Sequence, residues 1–86
     1  MAIIVRKPTG AEKNEMMQQP TWSCDVSIFD WYYDNEEESY FVEGDVTVTY
    51  GDESVSFGKG DYVIFPQGLA CKWDVKKPVK KHFMFN

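Results

Sequence analysis

The sequence predicts an all-β domain, an antiparallel sandwich or barrel with one short N-terminal helix. Three observations carry this. Short stretches rich in β-branched and aromatic residues recur from Ile3 to Phe85, with turn signals roughly every 6–12 residues. Helix signals are confined to one place, just after Thr9. Aromatic residues make up 16% of the chain, and at about 150–250 Å² buried each they can fill a small β core.

The elements follow in order. Ile3-Ile4-Val5 is a short β run. Thr9 caps a helix over about Ala11 to Gln18, with Glu12 placed to complete a capping box, and Pro20 closes it. Trp22 to Tyr33 reads as one long strand. Val26, Ile28 and Tyr32 share one parity and Phe29, Trp31 and Tyr33 the other, so both faces are expected to be covered. Tyr40 to Glu43 is a strand, Gly44-Asp45 a turn, and Val46 to Tyr50 alternates cleanly. Gly51-Asp52-Glu53 turns into Ser54 to Phe57, and Gly58 to Asp61 turns again into Tyr62 to Phe65. Phe65-Pro66-Gln67-Gly68 suits a type I turn. Leu69 to Val75 and Val79 to Phe85 are the last two strands.

The 86 residues fit one domain. It divides into a strand and helical segment over 1–21 and a barrel core over 22–86. Surface scaling leaves about 5,200 Å² exposed of about 14,500 Å², so roughly 64% is buried on folding. That allows one small core.

Nine basic against fourteen acidic residues give a net charge of −5, which argues against nucleic acid or anionic membrane as a partner. The late cluster Lys72, Lys76, Lys77, Lys80, Lys81 and the acidic Asp34 to Glu38 read as solvated edges. No apolar run is long enough for a membrane helix or a signal peptide. Cys24 and Cys71 form neither a disulfide framework nor a zinc spacing. The expected location is cytoplasmic, or an organelle if a transit peptide has been removed.

The most specific stretch is Gly60-Asp61-Tyr62-Val63-Ile64-Phe65-Pro66-Gln67-Gly68-Leu69-Ala70-Cys71. It reads Gly, five residues, Pro-x-Gly, two residues, Cys71. Upstream, Glu37 precedes Gly44 by six residues. These skeletons resemble the two motifs of the cupin superfamily, whose fold is a small jelly-roll β-barrel. Phe29-Asp30-Trp31-Tyr32-Tyr33-Asp34, Tyr40 to Gly44, Cys71-Lys72-Trp73 and Pro78 to Phe83 narrow the likeness. They are similar to small single-domain cupins related to the cupin domain of (S)-ureidoglycine aminohydrolases and to an ethanolamine-utilisation cupin.

The resemblance implies a metal held by two His and a Glu of the first motif and a His of the second. Here those positions carry Trp31, Tyr33, Glu37 and Cys71, and the Asn of the second motif becomes Val75. Only Glu37 survives, so no cofactor is expected. A weaker metal alternative joins Glu37, Cys71 and His82, the one imidazole, with Tyr33 completing it.

Each residue also has a plainer role. Trp31, Tyr33 and Trp73 can be barrel filling, Cys71 an inert buried thiol, Glu37 a solvated turn residue, and His82 a core histidine bonded to Glu37 or a backbone carbonyl. The leading function is small-molecule binding in a barrel mouth lined by Trp31, Tyr33, Tyr40, Trp73 and Cys71, with Glu37 and His82 as polar groups. Its aromatic walls and carboxylate would suit a flat or cationic ligand. The alternative is a metal-assisted, aminohydrolase-like enzyme acting on a small nitrogen-containing metabolite, so enzymatic activity stays open. A homodimer through edge strands is a further expectation, with the strand around Trp22 as its contact.

Overall fold

The computed structural model describes residues 1–86. Its elements are β1 (Ile4–Arg6), α1 (Gly10–Met16), β2 (Thr21–Cys24), β3 (Ser27–Tyr32), β4 (Glu37–Tyr50), β5 (Glu53–Gly58), β6 (Tyr62–Phe65) and β7 (Ala70–Phe85). The strands form one antiparallel sheet in the order β1-β6-β4-β7-β2, with β3 also on β7 and β5 also on β4. The all-β, antiparallel architecture with one short N-terminal helix is therefore as expected. Its accessible surface is 4969 Å², close to the area that scaling demands.

The helix forms for the reason its sequence gives. Thr9 Oγ1 accepts from the Glu12 N–H at 3.1 Å, and Glu12 Oε1 accepts from the Thr9 N–H at 2.9 Å. The Arg6 guanidinium grips the same carboxylate at 2.6 and 2.7 Å. Met16 anchors the helix, fully buried, on the outer side of the sheet and apart from the main core cluster.

The architecture rests on two long strands, β4 and β7, which pair along nearly their whole length. The N-terminal half of β4 is flanked by β6 and its C-terminal half by β5. The two halves of β7 are flanked by β3 and β2. Halfway along, the register slips between Phe41 and Val46. The bulge bends the ribbon, as bulges do, and brings the two halves together around the core. It also flips the inward parity of β4. Glu37, Ser39 and Phe41 point inward before it, Val46 and Val48 after it.

Four expectations on the strands are corrected here. Gly44-Asp45 is not a turn but part of this bulge, because Gly44 adopts φ 130° against Val79, whose Cγ2 would lie 2.8 Å from any Cβ at position 44. The last two strands are one, since β7 runs through Pro78, which lies where the register slips and the ladder needs no donor. Trp22 to Tyr33 is two strands. Asp25 breaks it by accepting from the Val26 N–H at 2.7 Å, while its carbonyl takes the Ser27 hydroxyl at 2.8 Å. And β3 is covered on one face only, for Ile28 and Tyr32 are exposed, as is Val26 just before it. A smaller shift concerns the loop after β6. There the Leu69 N–H reaches the Pro66 carbonyl, so the turn starts at Pro66 and Gly68 takes its third position with φ 86°.

The core is built from stacked and edge-on rings. Tyr33 lies on Phe65 at 4.7 Å and Phe29 on Trp73 at 5.8 Å, with Phe57 edge-on to Trp73. Val46, Val48, Val63 and Val75 fill between them. No helix is long and apolar enough to cross a membrane.

Candidate functional site

The inward face of β7 carries Cys71, Trp73 and Val75 and, beyond the exposed Lys77 at the register slip, resumes on the same parity with Val79, Lys81 and Phe83. Lys81 thus enters the barrel, although its sequence neighbours Lys76, Lys77 and Lys80 are exposed. It is 5% exposed, so its assignment to a solvated basic edge is corrected. Its Nζ donates to Glu37 Oε2 at 2.5 Å, and the Ser39 hydroxyl donates to the same oxygen at 2.6 Å. Glu37 is 4% exposed and is no solvated turn residue. A charge buried this deeply survives only with such partners.

Aromatic rings surround the ammonium. Nζ stands 5.0 Å from the Trp73 ring centre, 5.1 Å from Trp22 and 5.5 Å from Phe65, with Phe41 and Phe83 within 6.0 Å. These distances favour cation–π attraction. Burial works against the charged form and lowers the Lys81 pKa below the usual lysine value, while Glu37 pulls it up.

Above this pair opens a cavity of about 190 Å³. Trp22, Phe29, Trp31 and Trp73 form its walls, Phe83 and Phe85 stand around its mouth, and Tyr33, Glu37 and Lys81 supply its polar groups. Two buried donors make no well-formed hydrogen bond, the Tyr33 hydroxyl and the Trp73 indole N–H, although the indole lies close to the Tyr33 hydroxyl and the Cys71 thiol. Orphaned donors are rare in folded proteins.

Of the residues expected at the site, Trp31, Tyr33, Glu37 and Trp73 meet at this cavity. Trp31 is a rim residue, 50% exposed. Cys71 is buried in the core next to them, its Sγ directed at the Trp31 carbonyl at 3.7 Å, and borders a separate shallow depression with Trp31 and Tyr50. Burial pushes its thiol up to about 11, so it is protonated at neutral pH and a poor nucleophile.

Tyr40 and His82 do not belong to the cavity. They face each other across β4 and β7 on the parity opposite to Glu37 and Lys81. His82 is a buried histidine on the outer side, its Nδ1 bonded to the Gln19 carbonyl at 2.9 Å. Trp22, expected at a dimer contact, is instead a cavity wall. Sequence reasoning missed Trp22, Phe29, Lys81, Phe83 and Phe85. The signal for the last three was the alternation Val79, Lys81, Phe83, Phe85, in step with Trp73.

A divalent metal does not fit these side chains. The one surviving family ligand, Glu37, is neutralised by an ammonium that would repel a cation at the same place. Burial raises the Tyr33 phenol well above its ordinary range, so no phenolate is at hand, and Cys71 holds its proton. No three His, Cys, Asp or Glu side chains converge anywhere, and the alternative of Glu37, Cys71 and His82 is split across the two faces of the sheet.

Comparison with known proteins agrees with the fold. A DUF861 family protein from Thermotoga maritima is 42% identical over 99% of this chain and 100% of its own, with a TM-score of 0.94. The EutQ protein of Clostridium difficile is 19% identical, with a TM-score of 0.67 over 73% of this chain and 50% of its own. A putative ethanolamine utilization protein Q from Salmonella typhimurium is 21% identical, with a TM-score of 0.66 over 73% of this chain and 51% of its own. A search of curated proteins finds no match. Residues 11–83 match the family model described as the EutQ-like cupin domain, and with the bent β4–β7 ribbon closing the barrel around that stretch, the chain belongs to the EutQ-like cupin domain family.

Proposed function

We propose that the protein binds a small, flat metabolite in the aromatic-lined cavity between Trp22, Phe29, Trp31 and Trp73. The observation that carries this reading is the pair of buried donors without a well-formed hydrogen bond, Tyr33 Oη and Trp73 Nε1. They call for an acceptor brought by a ligand, such as a carbonyl or carboxamide oxygen. A cationic ligand, attractive from the aromatic composition alone, is disfavoured because Lys81 already occupies the cation–π position beside Glu37. Apolar walls with a few convergent polar groups are the usual make-up of a small-molecule site.

The metal-assisted aminohydrolase reading needs an ion that these side chains do not fit, and we do not adopt it. The homodimer remains a proposal. Its contact moves from Trp22 to β3, which pairs only with β7 and exposes Ile28 and Tyr32. Sedimentation analysis tests it.

The binding reading is tested by titrating small flat amides, ketones and carboxylic acids while following tryptophan fluorescence and thermal unfolding. A ligand at about 100 times its Kd should stabilise the fold by about 2.7 kcal/mol. Trp73→Phe, which removes one donor and keeps the ring, should weaken such a ligand. If no compound with an acceptor changes either signal, the reading fails.

A further inference from the structure

We propose that Lys81 is a nucleophile that captures a small aldehyde or ketone in the cavity as an imine, with Glu37 as its proton acceptor and donor. The inference rests on the binding reading above and names the ligand class it admits.

Four features of one place point this way. A primary amine lines an open cavity although its side chain is only 6% exposed. A carboxylate stands 2.5 Å from that amine and is buried with it. Two residues of the same cavity, Tyr33 and Trp73, carry buried donors without a well-formed hydrogen bond, and a bound carbonyl oxygen would take them up once the rings turn to meet it. The walls are apolar and can exclude water, whose removal drives imine formation forward. An ion pair needed only for stability gains nothing from facing a cavity with spare donors.

The step balances without any further reagent. The Lys81 ammonium gives one proton to Glu37, and the freed Nζ lone pair attacks the carbonyl carbon. Its second proton moves to the carbonyl oxygen, giving a neutral carbinolamine. Glu37 then returns its proton to that hydroxyl, the C–O bond breaks, and water leaves. The product is a protonated imine on Nζ beside the Glu37 carboxylate.

Burial supports the first transfer. It lowers the ammonium's pKa, and each unit of lowering raises the neutral-amine fraction at neutral pH about tenfold. The titratable groups that act on this amine are Glu37 from β4, Cys24 from β2 and Cys71 on its own strand. Lysines desolvated in apolar pockets are activated in this way.

The full chain is incubated at neutral pH with a panel of small aliphatic and aromatic aldehydes, benzaldehyde among them, and sodium cyanoborohydride. Peptide mapping then compares Lys81 with Lys80, its exposed neighbour on the same strand. Lys81 should be alkylated faster than Lys80, the direction that the lowered pKa of the buried amine gives. Lys81→Arg, which keeps a cation beside Glu37, should lose only that modification, and Glu37→Gln, although it removes the carboxylate that raises the Lys81 pKa, should slow it by removing the proton donor for the loss of water.

Labelling of Lys81 no faster than Lys80 across the panel overturns the inference. The matching amides, which cannot form an imine, are titrated in parallel by tryptophan fluorescence. Quenching by an amide without selective Lys81 labelling keeps the binding reading and discards the nucleophile. Absence of both discards both.

Discussion

Lys81 and Glu37 are not cross-strand partners. Lys81 lies opposite Phe41, and Glu37 lies opposite Phe85, so the ion pair spans four residues along the ribbon, an offset of about 13 Å between Cα atoms. A nearly extended lysine is needed to close that gap. Its stem runs along the inner face past Phe41 and Trp73, so burial of the methylenes contributes alongside the charge contact.

Removing one partner should cost more than removing both. Lys81→Met leaves Glu37 buried and unpaired, and the expected loss is about 3–5 kcal/mol. Lys81→Met with Glu37→Gln should recover a large part of it. Urea unfolding of wild type, both single variants and the double variant measures the coupling. Additive losses would show that the two charges are independent in solution.

Trp31 and Trp73 should respond differently to truncation. Trp73 is 2% exposed and sits between Phe29, Phe57 and Phe65, so Trp73→Ala should cost about 3–5 kcal/mol. Trp31 is half exposed at the mouth, and Trp31→Ala should cost under about 1 kcal/mol while changing ligand affinity. Chemical denaturation and a fluorescence titration read the two effects separately.

Gly44→Ala tests the bulge. The new Cβ meets Val79 Cγ2 at 2.8 Å and sits on a backbone at φ +130°, a strain of about 1–3 kcal/mol. Val79→Ala removes the Cγ2 and leaves the backbone strain in place. The double variant should therefore lose less than the sum of the two single losses, yet stay less stable than Val79→Ala alone. Thermal melts of the three variants decide it.

Acid should loosen the helix cap in a defined window. The hydrogen bonds from Arg6, and after them the Thr9 backbone, hold the Glu12 carboxyl at about 2 against an ordinary 4.5. A carboxyl whose folded pKa is lower than its unfolded one stabilises fully above the unfolded value and loses that effect as pH falls through the folded one. The stability difference between wild type and Glu12→Gln should be constant above about pH 5, shrink from about pH 4.5 downward, and vanish below about 2. A difference independent of pH would assign the effect to geometry alone.

Local signals were legible in the sequence and long-range ones were not. Thr9 and Glu12 announced the helix, because a cap is decided within four residues. The short runs at Tyr62 and Ser54 announced strands for the same reason. Treating Gly44-Asp45 and Pro78 as chain breaks hid the two long strands. Gly and Pro interrupt a strand unless its partner carries a matching irregularity, and that is a fact about pairing. Once β7 was split, the parity of its second half was lost, and His82 looked as able to face inward as Lys81. Tyr33 and Glu37 were found because the cupin motifs place them. Lys81 was overlooked because a lysine in a basic run looks solvated until its alternation with Val79 and Phe83 is followed.

The bent ribbon of β4 and β7 also bears on how the chain reaches its fold. Its two strands are separated in sequence by all of β5 and β6, so no turn presets their alignment. A long loop must close before the ribbon gains its first pairs, and the bulge must then form in register for the second half to follow. Such topologies fold in the millisecond-to-second range, well behind helical domains of equal size. Changes at Gly44 are therefore expected to slow refolding as well as speed unfolding, whereas changes at the mouth residue Trp31 should leave the refolding rate untouched.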